Sequence, residues 1–208
     1  MNKILLSLAT AITFSTAGGG CLLTQSNSVD VTWKAYKTLA KLGVAGKFTG
    51  VTYKPTKLEG KNFKELLVGS NIFIDLHSVN TRNDARDKTL VNEFFDNLKG
   101  KSIDGEIVSI QADEGKGGKR LYSGTIEVKI IMNGKSRQIP MRYSYKNELF
   151  KAEGTIDIFD FSGQSALEAL NKSCYDLHKG KTWNDVTIGF SIEIKAKNCD
   201  AELDKKKK

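Results

Sequence analysis

Between Val186 and Ala196 every second residue is apolar: Val186, Ile188, Phe190, Ile192, Ile194 and Ala196 alternate with Thr187, Gly189, Ser191, Glu193 and Lys195. A period of two places the first set on one face of a strand and the second set on the other. The same alternation recurs along the chain. Val29, Val31, Trp33 and Ala35 begin it, and Val44, Gly46, Phe48 and Gly50 continue it within 43–53. Ile72, Ile74 and Leu76 carry it within 70–79, and further runs span 103–112, 121–132, 139–145 and 150–158. Asn133-Gly134 marks a tight hairpin between two of these runs, 113–119 reads as a flexible turn, and Pro140 points to an edge or a bulge. With no βαβ alternation and long strands joined by short turns, the pattern predicts an all-β, antiparallel, eight-stranded barrel rather than a sandwich. A barrel of about eight strands has an interior just wide enough for side chains or for one slender ligand.

One long segment breaks the alternation. From Asn80 to Phe95 the apolar residues Leu90, Val91, Phe94, Phe95 and then Leu98 gather on one face of a helix, while Arg86, Asp87, Lys88, Glu93 and Asp96 lie opposite. Thr81, Asn83 and Asp84 are N-cap candidates, and Gly100 lies just past the end. A short second helix is expected over 165–171. A helix built this way closes over something apolar, either as a plug for a solid barrel or as one wall at the mouth of a cavity.

The N-terminus reads as an export signal over 1–20: Lys3, an apolar stretch from Ile4 to Phe14 that is too short to span a bilayer, and small residues up to Ala17. Gly18-Gly19-Gly20-Cys21 resembles a lipobox with Gly18 in place of the usual apolar residue, which makes Cys21 a lipidation candidate and a route to membrane association. Cut after Ala17 or before Cys21, the chain is expected in the periplasm or the bacterial envelope. Residues 21–28 read as a linker, 29–199 as one domain, and 200–208, ending in four lysines, as a charged tail. Of the three cysteines, Cys174 and Cys199 form a natural disulfide pair in an oxidising compartment. A metal site using Cys174, His178 and Cys199 lacks an evident fourth ligand, so none is expected. The net charge of +8 comes without an aromatic-interleaved basic stripe, which argues against nucleic acid.

Enzymatic readings find little footing, and no catalytic residue or cofactor is expected. His77 and His178 are the only histidines, and no G-x-S-x-G occurs. His77 reads as a surface or rim residue.

Several motifs together resemble the YceI-like polyisoprenoid-binding proteins. Arg86-Asp87, Leu90 and Phe94-Phe95-Asp96 are similar to that family's RD-x-x-L-x-x-x-x-FFD helix. Ile126 to Tyr143 is similar to its long hairpin, Phe150 to Ser162 to its F-x-A-x-G-T-I run, and the stretch from Val31 to Tyr53 to its N-terminal strands. Thr89 stands where the family usually has His, and Val91-Asn92 where it has Arg-Ser. The resemblance covers about Val29 to Lys197. It implies an extended lipocalin-like barrel holding a long isoprenoid lipid, a polyprenyl chain or an isoprenoid quinone, with no catalysis and, by analogy, a homodimer. The ligand-binding residues would then be Phe48, Ile72, Ile74, Leu76, Ile156, Ile188 and Phe190 on strands and Leu90, Phe94 and Phe95 on the helix, with Arg86 toward a headgroup. The alternative is a solid envelope barrel serving interactions or stress without a small ligand.

Overall fold

The computed structural model describes residues 21–114 and 120–197 of the chain, and the expected signal over 1–20, the tail over 200–208 and Cys199 lie outside them. Twelve strands form one antiparallel sheet. They are β1 (Leu22–Gln25), β2 (Asp30–Lys37), β3 (Leu42–Phe48), β4 (Val51–Lys54), β5 (Glu59–Gly60), β6 (Asn71–Asp75), β7 (Val79–Asn80), β8 (Ser102–Glu114), β9 (Arg120–Met132), β10 (Lys135–Lys146), β11 (Leu149–Asp157) and β12 (Asp185–Lys197). Four helices join them: α1 (Phe63–Leu67), α2 (Asp84–Glu93), α3 (Gln164–Ser173) and α4 (Tyr175–His178).

The strand count reconciles with the expected eight once two bent strands are recognised and β1 and β5, which pair off the main path, are set aside. β3 and β4 are halves of one strand kinked at Thr49 and Gly50, and β6 and β7 are halves of another, parted by a 3₁₀ turn over Leu76–Ser78. β4 pairs with β6 and β3 with β7. At the kink Thr49 N–H donates to the Ser78 carbonyl (3.0 Å) and Asp75 N–H to the Gly50 carbonyl (2.9 Å). Gly50 permits this approach, because a Cβ there would lie 2.8 Å from Ser78 Cβ. The remaining order is β6-β8-β9-β10-β11-β12-β2-β3, so the sheet curls back on itself, as its pattern predicts.

Local chemistry sets the register. Asn133 and Gly134 both have positive φ (52° and 71°), the backbone of a type I′ turn that matches strand twist, and Met132 faces Lys135 across it. Pro140 pairs with Glu127 of β9, but β10 meets β11 only from Arg142 onward. Its missing N–H therefore sits at a local edge.

The two ends of the barrel differ. At one end Phe150, fully buried, stacks on Tyr143 (centroids 4.9 Å apart) and meets Phe63 edge-on at 5.2 Å. Phe63 opens α1, a helix too short to stand out in the sequence pattern. Asn62 caps it by accepting from Glu65 N–H (2.9 Å), and it buries Leu66 and Leu67 completely. Beneath it, Tyr53 Oη donates to Gln25 Oε1 (2.7 Å), and Gln25 Nε2 donates to the Leu66 carbonyl (2.9 Å). Burial holds the Tyr53 phenol above its ordinary pKa, with hydrogen bonds to Ser70 and Gln25 working the other way. This end is solid.

Two sequence expectations change here. The segment read as a linker contains β1, which pairs with both β12 and β5 and places Gln25 in the floor. The Cys174–Cys199 pairing fails because Cys174 is a buried free thiol, whereas Cys21 is disulfide-bonded. Counting cysteines does not show that Cys174, at the C-cap of α3, packs inward.

Because Phe150 is surrounded by aromatic rings, Phe150→Ala should leave a cavity that cannot collapse. The expected loss is about 3–5 kcal/mol, seen as a lowered midpoint in urea denaturation.

Candidate ligand chamber

The other end is covered by α2 and α3, which pack against each other. α2 begins where Asn83 accepts from Arg86 N–H (2.9 Å). Asp87, in its first turn, reaches back to accept from both the N–H (2.9 Å) and the hydroxyl (2.6 Å) of Thr81. These bonds tie the helix start to the end of β7. The helix stops at Glu93, with Phe94 as its C-cap, and a 3₁₀ turn over Phe95–Asn97 follows. The sequence pattern suggested one continuous apolar helix face; the break instead turns both phenylalanines inward. Their rings meet edge-on at 5.3 Å, and Phe95 also meets Phe48 at 5.9 Å. His77 lies on the 3₁₀ turn after β6, exposed at the rim, with Nε2 2.7 Å from Asp96 Oδ1.

Beneath these helices lies an apolar inner chamber of about 100 Å³, bounded by Phe48, Leu90, Phe94, Phe95, Ile156 and Ile188 together with Trp33, Ala35, Ile103, Met132, Ile158, Leu167, Leu170, Val186 and Trp183. It shares Trp33, Ala35, Leu90, Leu170 and Thr182 with an outer chamber of about 440 Å³. The outer chamber adds Tyr36, Lys37, Asn83, Arg86, Thr89, Cys174 and Leu177. Neither wall contains an Asp or Glu. The site thus grades from fully apolar inside to cationic and hydrogen-bonding at the rim, the wall chemistry of a pocket for an amphiphile.

Of the eleven sequence candidates, Phe48, Leu90, Phe94, Phe95, Ile156 and Ile188 line the inner chamber, and Arg86 and Leu90 the outer one. Ile72, Ile74, Leu76 and Phe190 are buried in packed core and border neither chamber. Alternation identifies which residues face inward; it does not identify which inward residues face empty space.

The throat between the chambers holds the residue that the sequence reading passed over. Trp33 lies over Gly46, where a Cβ would sit 2.5 Å from the indole ring. Its Nε1–H is buried and has no hydrogen-bond partner among the described residues. A buried donor left unpaired costs about 1–3 kcal/mol, and an acceptor atom on a bound molecule would remove that cost. Trp183, by contrast, donates from Nε1 to the Thr38 carbonyl (2.7 Å) and serves as fixed wall.

The sequence pattern of the YceI-like domain matches residues 23–194. The chain belongs to this family. Among solved structures, a polyisoprenoid-binding domain from Saccharophagus degradans is 13% identical, with a TM-score of 0.56 over 86% of this chain and 99% of its own. BcnA of Burkholderia cenocepacia is 14% identical, with a TM-score of 0.54 over 80% and 96%. The YCEI protein of Campylobacter jejuni is 18% identical, with a TM-score of 0.50 over 74% and 85%. At these identities the likeness is one of fold. No curated protein sequence matches the chain.

Burial, with Glu93 adding to it and Lys37 opposing, raises the Cys174 thiol pKa. Less of it is thiolate at any given pH, and the thiolate is the reactive form. Alkylation at mildly alkaline pH should therefore be slow in the native chain and fast in denaturant. A molecule filling the outer chamber should slow it further, as peptide mass mapping of timed reactions would record.

Proposed function

We propose that this chain is an exported envelope protein that binds an isoprenoid lipid non-covalently, with the hydrocarbon in the inner chamber and an oxygen-bearing head at the throat and rim. The observation that carries this reading is the two-part site: an apolar inner wall joined, through Trp33 with its unpaired donor, to a rim holding Lys37, Asn83 and Arg86. The likeness in fold to a polyisoprenoid-binding domain supports the choice of lipid. Burial of hydrocarbon stabilises binding by about 0.8 kcal/mol per CH₂; the inner chamber of about 100 Å³ takes the end of the chain and the outer one of about 440 Å³ the units that follow. A quinone tail and a polyprenyl chain both satisfy the inner wall; both carry an acceptor oxygen for Trp33. The open space beneath α2 favours this reading over a solid barrel.

Organic extraction of protein purified from the envelope, followed by mass analysis, should release an isoprenoid lipid. Ala35 borders both chambers, so Ala35→Phe should narrow the throat and sharply reduce the lipid recovered, with the fold retained by circular dichroism. Extraction that yields no lipid from the unaltered protein would remove the basis of the proposal.

Trp33→Phe keeps the ring and deletes the donor. Affinity for an oxygen-bearing isoprenoid should fall by roughly tenfold, corresponding to one ordinary hydrogen bond of about 1.4 kcal/mol. Binding of the matching plain hydrocarbon should not change. Tryptophan-independent titration, such as calorimetry with the lipid delivered in detergent, measures the difference.

A further inference from the structure

The most solvent-exposed large apolar side chains among the described residues lie on two segments that reach the outer chamber through Lys37 and Leu177. Leu39 is 86% exposed, Leu177 81%, Tyr175 61% and Leu42 55%; no other such residue exceeds 47%. These four come from two separate stretches of chain, the β2–β3 turn with the first residue of β3, and α4. The structure holds the stretches together. Thr38 N–H donates to the Lys181 carbonyl (2.9 Å), Lys37 bridges to Thr182, and Leu177 and Lys37 line the same wall of the outer chamber. Trp183 clamps the junction: its Nε1 bonds Thr38, and the Nζ atoms of Lys41 and Lys181 lie 4.4 and 4.3 Å from its ring.

The same two stretches are cationic. Lys34, Lys37 and Lys41 lie on the first, and Lys172, Lys179 and Lys181 on or beside the second. Arg86 faces them from α2 across the chamber. Among acids on these segments, Asp185 is already paired with Lys41 at 2.9 Å and Asp176 lies on α4; Asp84 stands at the start of α2. Glu93 reaches the site only through its influence on Cys174.

Exposed leucines set among lysines are poorly suited to water and well suited to a bilayer surface, where leucine enters the acyl boundary and lysine meets anionic headgroups. Placement at the chamber mouth adds a reason for the patch to exist. A lipid leaving a bilayer for the chamber need not cross water if the mouth is seated on that bilayer. We propose that the β2–β3 turn and α4 form a docking surface for an anionic lipid membrane, with Leu39 and Leu177 inserted and the lysines engaging the headgroups. This rests on the lipid-carrying reading for its purpose, though not for its evidence.

The test is co-sedimentation of the purified chain with vesicles of phosphatidylglycerol in phosphatidylcholine, compared with phosphatidylcholine alone. The native chain should bind the anionic vesicles at least tenfold more tightly, and raised salt should weaken this binding. Leu39→Asp should reduce binding at least tenfold, as should the charge reversal Lys172→Glu/Lys179→Glu. None of these three residues lines either chamber, so lipid co-extracted from the variants should match the native amount, and their melting temperatures should be unchanged. Undiminished binding by Leu39→Asp, or no preference for anionic vesicles, would overturn the docking surface while leaving the lipid carrier intact. Vesicle binding that behaves as described in a protein that yields no lipid on extraction would do the reverse. It would uphold the docking surface and count against the carrier.

Discussion

Closure of the sheet at its kinked seam is the constraint on which everything else depends. β3 and β4 bend at Thr49 and Gly50, β6 and β7 bend at the 3₁₀ turn opposite, and two backbone hydrogen bonds hold the bends together. Without that seam the ladder would present two long edges, and unpaired edges invite association with other chains. With it, the inward faces of β2, β8, β9, β10, β11 and β12 all look into one interior. The bend also carries the chain toward α2. Val79 and Asn80 run directly into the Thr81 loop that Asp87 holds in place.

A closed barrel of this size would ordinarily fill with side chains. Here the filling is uneven. The aromatic cluster around Phe150, the α1 leucines and the Gln25–Tyr53 hydrogen bonds make one end dense. At the other end Trp33 lies against Gly46, Ala35 contributes a single methyl, and α2 stops at Glu93. Stability therefore comes mainly from the dense end, and the capacity to hold something comes from the sparse end. That separation assigns the packed interior and the open space to different parts of one barrel.

How much of this was legible in the sequence follows the range of the interactions. The strands, the Asn133-Gly134 turn, the α2 start at Asn83 and the local edge at Pro140 follow from residues near one another in the chain. The RD-x-x-L and FFD residues marked the right helix, and Arg86, Leu90, Phe94 and Phe95 do border the chambers. What the sequence withheld depends on distant packing. α1 spans five residues, too few for a helical period to register. β1 is a strand only because β12 and β5 offer it partners. Ile72, Ile74 and Leu76 alternate as well as Ile156 and Ile188 do, yet their side of the barrel is packed. Trp33 alternates like any core residue, and only the folded arrangement shows that its N–H meets no acceptor among the described residues.

The contact between Trp33 and Gly46 makes the two positions one unit of variation. Any side chain at 46 larger than hydrogen would collide with the indole, since a Cβ would stand 2.5 Å from it. A smaller residue at 33 would vacate that space and at the same time remove the throat's only tryptophan donor. A homologous chain carrying alanine or serine at 46 should then carry a smaller or differently seated residue at 33. On the proposed reading, such a pair of exchanges would remove the donor that selects an oxygen-bearing guest. Guest selection would then drift by a coupled exchange across two neighbouring strands, with no change to the rim, the helices or the seam.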